Sequence, residues 1–144
     1  MPSKDAHIAA AKRNGATVNY LLQDGDNHLP WIAAITFYQA LHIIEAVLDG
    51  DPACSTSHTD DHKTRNRLLK TTNRYSHFWK MYRPLWEASL IGRYLRENEA
   101  APTYDVFEKE QRSRPFSLAI ISNKLRKRPI RYLVTLTGRR KRLT

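Results

Sequence analysis

Residues 30–49, PWIAAITFYQALHIIEAVLD, form the longest apolar segment of the chain and carry its clearest helical signal. Pro30 suits the first turn of a helix, because the N–H that proline lacks has no partner there. Apolar side chains cover most of the helical circumference, which indicates a helix surrounded by others in a bundle. The polar residues that interrupt this surface form one row along the helix: Gln39, His42, Glu45 and Asp49.

Three further helices are predicted around this one, over residues 4–23, 59–72 and 76–99. Ser3 and Thr59 are the N-caps that we predict for the first and third helices. Pro84 lies inside the fourth and either kinks or splits it. The residues expected to line the core side of the fourth helix are Phe78, Tyr82, Trp86, Leu90 and Tyr94.

The net charge of +10 is concentrated at one end of the chain. Residues 1–111 hold 13 Lys and Arg against 14 Asp and Glu, whereas residues 112–144 hold 11 Lys and Arg and no acid. A near-neutral body with a cationic end is typical of proteins that contact a polyanion. We therefore predict an all-α fold, an antiparallel up-and-down helical bundle over residues 1–101, followed by a basic C-terminal extension over residues 102–144.

The extension contains two short helical patterns, residues 104–112 and 116–127, and a β-prone run at residues 130–137. A lone strand would have no partner in a helical body. The extension is expected to attract RNA or DNA strongly, in a way that is sensitive to salt and independent of sequence. An anionic membrane surface, a ribosome-like assembly and simple solubility are the alternatives. The cations predicted to bind nucleic acid are Lys124, Arg126, Lys127, Arg128, Arg139, Arg140, Lys141 and Arg142.

Several classes of function are not expected from this composition. Cys54 is the single cysteine, which excludes an internal disulfide framework and a multi-cysteine zinc site. The chain carries neither the phosphate-binding glycine motifs nor the Gly-x-Ser-x-Gly nucleophile motif, so nucleotide-dependent and α/β-hydrolase chemistry are not expected. The apolar segment is too polar for a membrane span, and the first twenty residues lack the apolar core of a signal peptide. We expect a cytoplasmic protein that uses no cofactor.

His62 and Arg65 are the residues predicted to carry catalysis. They are three apart and therefore share one face of the third helix. Histidine transfers protons near neutral pH, and arginine holds a phosphate through two parallel hydrogen bonds. Together they suit the recognition or the metal-independent cleavage of a phosphodiester. The plain alternative is a solvated helix face.

Five more polar residues complete the predicted site. Asn66 and Arg93 are predicted to contact nucleic acid, and Ser89 lies one helical turn before Arg93. His42 and Glu45 either face a cleft or are satisfied polar groups within the core.

One spacing resembles a metal-binding pattern. Cys54, His58 and His62 follow one another at intervals of four residues, and zinc accepts such ligands. The glutamate of the His-Glu-x-x-His motif is not present, and Cys54 is expected in a loop. We therefore predict no metal site, and interpret these residues as polar groups at the start of a helix.

Residues 7–94 resemble the HEPN superfamily of small helical proteins, and the resemblance rests on three motifs. The segment WIAAITFYQALHIIEA at residues 31–46 is similar to the second helix of that family. The segment HKTRNRLL at residues 62–69 is similar to its S-H-x-x-R-N pattern. Across residues 82–94, YRPL followed by SLIGRY resembles its Y-R-x-L and S-x-x-A-R-Y run.

This resemblance implies an antiparallel bundle, a homodimer with a site shared across its interface, and a function centred on RNA. Many relatives are metal-independent ribonucleases that act as toxins or defence effectors, and others are non-catalytic RNA binders or partners of nucleotidyltransferases. The family's nuclease signature is an arginine, four to six residues and a histidine, a spacing that no Arg–His pair has here. Cleavage would need a rearranged site built from His62, Arg65 and Arg93.

The sequence therefore predicts a HEPN-like protein that binds RNA or DNA, with RNA cleavage as its catalytic version. The alternative is a non-catalytic protein-interaction module or a ribonucleoprotein subunit. Such a protein would dock a partner through the bundle and the C-terminal segment, and the β-prone run would add to a sheet edge of that partner.

Overall fold

A computed structural model of the chain describes residues 2–24, 27–54 and 58–94, together with Lys127. The helices formed by these residues are α1 (Lys4–Leu22), α2 (Leu29–Gly50), α3 (His62–Thr71) and α4 (Ser76–Tyr94), with a 3-10 turn at Asn73–Tyr75. The all-α prediction is confirmed, since the described residues contain no strand. Apart from Lys127, the predicted basic extension and its β-prone run lie outside the described residues.

Helix α2 is the centre of the bundle, and α1 and α4 both run antiparallel to it. The N–H of Lys4, at the start of α1, donates to the Asp49 carboxylate at the end of α2, at 2.7 Å. At the other end, Arg93 of α4 donates to the Tyr38 hydroxyl in the first half of α2, at 3.1 Å. The predicted all-α helical bundle is therefore confirmed, with α1 and α4 antiparallel to α2.

The composition of α2 follows from this central position. Of its 22 residues, 14 are buried. By length and hydropathy it is the described helix that would suffice for a membrane span, yet 72% of that window is buried inside the bundle. A helix that is apolar on nearly every side is expected when other helices surround it.

The N-cap of α1 is as predicted, whereas the N-cap of α3 is not. The Ser3 hydroxyl accepts a first-turn N–H of α1 at 3.3 Å. Helix α3 begins at His62 and its cap is Asp61, whose carboxylate accepts a first-turn N–H at 2.6 Å. The predicted cap, Thr59, is buried instead, and its hydroxyl donates to the carboxylate of Glu45. A buried carboxylate needs donors more than a solvated helix end does, because water cannot supply them there.

The core side of α4 differs from the predicted row. Phe78 and Tyr82 are fully buried, but Trp86 is only half-buried and Tyr94 is 62% exposed. A row of residues four apart drifts by about 40° per step, because a turn takes only 3.6 residues. The residues that continue the buried side are therefore Leu85, Ala88, Ser89 and Ile91. Pro84 is exposed and does not end the helix.

Gly92 marks the closest approach of α4 to α2. A Cβ at this position would lie 3.0 Å from the Pro30 carbonyl oxygen and 3.2 Å from its Cα, both backbone atoms. We expect Gly92→Ala to lower the free energy of unfolding by about 1–3 kcal/mol, because the two helices must move apart. Urea denaturation measures this change.

Gly15→Ala is the matched control for this effect. A Cβ at Gly15 would lie 2.6 Å from Nε2 of Gln39, the far end of a side chain that can rotate. Alanine also favours the helix by about 1 kcal/mol over glycine. Gly15→Ala should therefore cost less than Gly92→Ala, and the reverse order would contradict the close crossing of α4 over α2.

Candidate nucleic-acid interface and the polar cluster beside it

Arg65, predicted to hold a phosphate, is turned into the bundle. Its side chain is 5% exposed, and its Nε donates to Oε1 of Glu45 at 2.6 Å. Its Nη2 donates to the carbonyl oxygen of Thr59 at 3.2 Å. A buried guanidinium needs such partners, because an unpaired charge in the interior costs several kcal/mol. The charged fork of Arg65 therefore joins α3 to α2.

Glu45 is the anionic centre of this cluster, and its side chain is fully buried. Besides Arg65, it accepts from Thr59 twice: from the hydroxyl at Oε1 and from the N–H at Oε2, at 3.1 Å. Nδ1 of His58 lies 3.1 Å from the same Oε2. Of the two predicted roles, Glu45 therefore takes that of a satisfied core group, and it fastens the segment before α3.

His42 is hydrogen-bonded to His7, a residue that was not among the predicted site residues. Their Nδ1 atoms are 3.0 Å apart, so one ring donates to the other. Burial lowers the pKa of both rings, which favours their neutral forms at pH 7. The His7 ring also stacks against that of His58, with 5.7 Å between centroids. His7 thus connects α1 both to the polar row of α2 and to the segment before α3.

His62 lies at the surface, where α3 begins. Its Nδ1 is 3.0 Å from Nη1 of Arg65. Because a guanidinium is always a donor, Nδ1 accepts, and the neutral ring carries its proton on Nε2. Burial, followed by the positive charges of Arg65 and Arg93, lowers the pKa of His62. At pH 7 His62 therefore offers an N–H donor.

This depressed pKa predicts a loss of stability in acid. The folded-state pKa of His62 lies below its ordinary value of 6.5, so the unfolded chain binds a proton first as the pH falls. The free energy of unfolding should therefore fall as the pH drops through 6.5 toward the folded-state pKa, and level off below it. Urea denaturation between pH 7.5 and 5 measures this. Part of the decrease should be missing in His62→Gln, and an equal decrease in both proteins would contradict the assignment.

Arg93, near the end of α4, stands between two tyrosines. Its Nη1 donates to the hydroxyls of Tyr38 and Tyr94, at 3.1 Å and 3.4 Å. The guanidinium carbon is 5.5 Å from the centroid of the Tyr38 ring and 4.9 Å from that of Tyr94. The carbonyl and hydroxyl of Ser89 accept from the other side of the guanidinium. The i,i+4 spacing thus brings Ser89 and Arg93 into contact.

Large aromatic side chains are exposed on the same side of the bundle. Trp31 is 66% exposed, Tyr38 39% and Tyr94 62%. Trp31 and Tyr38 are seven residues apart, so they lie on one side of α2, and the adjacent Pro30 touches Gly92 of α4. We call Trp31, Tyr38, Arg93 and Tyr94 the aromatic face.

Tyr94 was predicted on the core side of the fourth helix, and the apolar circumference of residues 30–49, which includes Trp31 and Tyr38, was predicted to be surrounded by other helices; the exposure of these three side chains corrects both predictions. The apolar circumference of α2 is wider than the surface that α1, α3 and α4 cover, so some of it stays in solvent. The sequence feature that could have indicated the aromatic face is the seven-residue spacing of Trp31 and Tyr38, which is two helical turns, together with the adjacent residues Arg93 and Tyr94. His62 borders this face: the buried Phe37 ring lies 5.6 Å from the His62 ring and 5.5 Å from the Arg93 guanidinium.

The remaining predicted residues are placed as follows. Asn66 is half-buried, and its Oδ1 has no hydrogen-bond partner among the described residues. Lys127 is exposed. The other predicted contacts of the extension lie outside the described residues: Lys124, Arg126, Arg128, Arg139, Arg140, Lys141 and Arg142. The two histidines of the Cys54-His58-His62 pattern have different partners, because His58 faces Glu45 while His62 faces Arg65.

Comparisons of the chain with protein families, curated proteins and solved structures find no match. The function must therefore be argued from the chemistry of the described groups. Two arrangements carry such chemistry, the exposed aromatic face with His62 at its border, and the buried polar cluster around Glu45.

Proposed function

We propose that this protein binds single-stranded nucleic acid, and RNA in particular, through the aromatic face and the basic extension. The observation that carries the proposal is the guanidinium of Arg93 held between the exposed rings of Tyr38 and Tyr94. Bases stack on exposed aromatic rings with about 1–3 kcal/mol per base, whatever their sequence. The guanidinium beside them adds a fixed positive charge, and Nη2, which donates one N–H to Ser89, keeps its second N–H for a phosphate oxygen.

His62 is assigned the role of a donor in this site. Its Nε2–H can donate to a phosphate oxygen or to a ribose 2′-hydroxyl, the group that distinguishes RNA from DNA. The same tautomer disfavours cleavage, because a general base needs an unprotonated nitrogen and Nδ1 already accepts from Arg65. The geometry thus supports binding better than catalysis.

The basic extension is assigned the long-range attraction. Its 11 Lys and Arg among residues 112–144 face no acid in the same segment, while the bundle is nearly neutral. Such a segment attracts any polyanion, and the aromatic face then prefers unpaired bases. The resemblance to the HEPN superfamily is in line with this division, since that family includes RNA binders without catalysis.

Labelled single-stranded RNA, incubated with the full chain and run on native and denaturing gels, tests the proposal. We expect a retarded complex and intact RNA. Cleavage that disappears in His62→Ala would instead identify a metal-independent ribonuclease with a rearranged site. The absence of any retarded complex at low salt would contradict a role in nucleic-acid binding.

A protein-docking role is the second candidate, and the exposure of Trp31 and Tyr38 on α2 favours it. Aromatic residues are enriched at the cores of protein interfaces, and a second copy of the chain is the partner that the HEPN resemblance implies. Sedimentation at increasing protein concentration, with Trp31→Ala beside the wild type, separates this role from the first. An apolar interface would be nearly insensitive to salt, whereas RNA binding weakens steeply with it.

A further inference from the structure

Three metal-ligating side chains from three different segments meet inside the bundle. One nitrogen each of His7 and His58 and one carboxylate oxygen of Glu45 all lie within 4.8 Å of one another. His7 belongs to the start of α1, Glu45 to α2, and His58 to the segment that precedes α3. His7 is 4% exposed, Glu45 is fully buried, and the His58 side chain is 21% exposed.

The hydrogen bonds of His7 leave one of its two ring nitrogens without a partner among the described residues. Nδ1 is paired with His42 at 3.0 Å, whereas Nε2 is buried without a hydrogen-bond partner in the described part of the chain. A buried polar atom left in this way costs about 1–3 kcal/mol. Metal-bound histidines characteristically have their other nitrogen held by an outer group, as His42 holds His7. A cation beside Nε2 would satisfy it.

The carboxylate of Glu45 also has one position left. A carboxylate offers about four lone-pair sites. Arg65 and the Thr59 hydroxyl use Oε1, and the Thr59 N–H uses one site on Oε2. Nδ1 of His58 lies 3.1 Å from Oε2 but forms no hydrogen bond with it among the described residues. Two ligands on one tetrahedral zinc ion are about 3.4 Å apart, given bonds of about 2.1 Å, so this separation suits a shared ion.

We propose that Nε2 of His7, Oε2 of Glu45 and Nδ1 of His58 bind a divalent transition-metal ion of the Zn²⁺ type. Two imidazoles and a carboxylate form a ligand set that zinc accepts, with water in the fourth position. The partly exposed His58 gives that water and the ion access. The ion fastens α1 and the segment before α3 to α2, so it stabilises the fold independently of RNA binding.

Calorimetric titration of the metal-free full chain with Zn²⁺, followed by thermal unfolding, tests this site. We expect one ion per chain and a rise in Tm. His7→Gln and His58→Gln should each weaken binding at least about tenfold, since even the loss of an outer-shell group costs that much. His28→Gln, which alters a partly exposed histidine paired with Asp24, should leave binding unchanged. The proposal is overturned if the wild type binds no stoichiometric ion, or if all three variants bind alike.

X-ray absorption of the zinc-loaded wild type provides a test that does not depend on the folding of a variant. The expected spectrum contains two imidazoles and oxygen donors in the first coordination shell, without sulfur. Cys54→Ser should accordingly keep the ion. Sulfur in the first shell would assign the ion to Cys54 and overturn the proposed ligand set.

Discussion

Glu45→Gln is expected to lower the free energy of unfolding by about 3–5 kcal/mol, because it leaves the buried guanidinium of Arg65 without an anion. Arg65 is 5% exposed and Glu45 is fully buried, so water cannot replace the lost carboxylate. The amide of glutamine has almost the same size, so no cavity forms, and its NH2 group replaces one of the two accepting oxygens, so the cost includes a lost hydrogen bond as well as the lost charge. Urea denaturation in buffer with a chelator measures it without any contribution from a metal ion.

Asp49→Asn is the matched control on the same helix. Asp49 is exposed and accepts the N–H of Lys4, a contact that an amide oxygen can also make, so the expected cost is below about 1 kcal/mol. Adding Arg65→Met to Glu45→Gln should restore part of the lost stability, because no unpaired charge then remains buried. Equal costs for Glu45→Gln and Asp49→Asn would show that the Glu45–Arg65 pair is solvated.

Deletion of residues 129–144 is expected to have the largest effect on nucleic-acid binding. The segment holds five cations: Arg131, Arg139, Arg140, Lys141 and Arg142. Each phosphate contact on a single strand adds about 0.7 to the slope of log affinity against log salt, so the deletion should lower that slope by up to about 3.5. At 50 mM salt the affinity should fall by at least about 100-fold. Fluorescence anisotropy over a salt series measures both quantities.

A variant of the same length controls for this deletion. Replacing the five cations by glutamine keeps the chain length and removes only the charge. It should reproduce the lowered slope, with the helical circular dichroism of the bundle unchanged. An unaltered affinity in both proteins would locate the binding energy elsewhere and remove the extension from the proposed site.

The overall fold was predictable from the sequence because its signals are local. The apolar circumference of residues 30–49 identifies a central helix whatever surrounds it, and Ser3 caps α1 through an N–H only three residues away. The prediction of the α3 N-cap was wrong because the position of Thr59 depends on a residue that is distant in the sequence. Thr59 was drawn from the helix start by the carboxylate of Glu45, fourteen residues earlier in the chain.

The sequence predicted which residues belong to the candidate site but not the directions in which their side chains point. Spacing placed His62 and Arg65 on one face of α3, and they do touch, at 3.0 Å. Spacing alone does not tell which partner a long side chain takes, and Arg65 turned inward because Glu45 lies beneath it. The exposure of Trp31 and Tyr38 is likewise set by where the neighbouring helices end, which no local pattern contains.

The binding of a fluorescent single-stranded RNA to the double variant Tyr38→Ala/Tyr94→Ala tests the central claim most directly. Both substitutions remove exposed rings beside Arg93 and leave the basic extension intact. The control is Tyr20→Ala, which removes a 72% exposed tyrosine from α1. We predict that the double variant binds at least about tenfold more weakly than the control, because two stacking rings are lost at about 1–3 kcal/mol each. Equal affinities of the two proteins would contradict an RNA-binding role of the aromatic face.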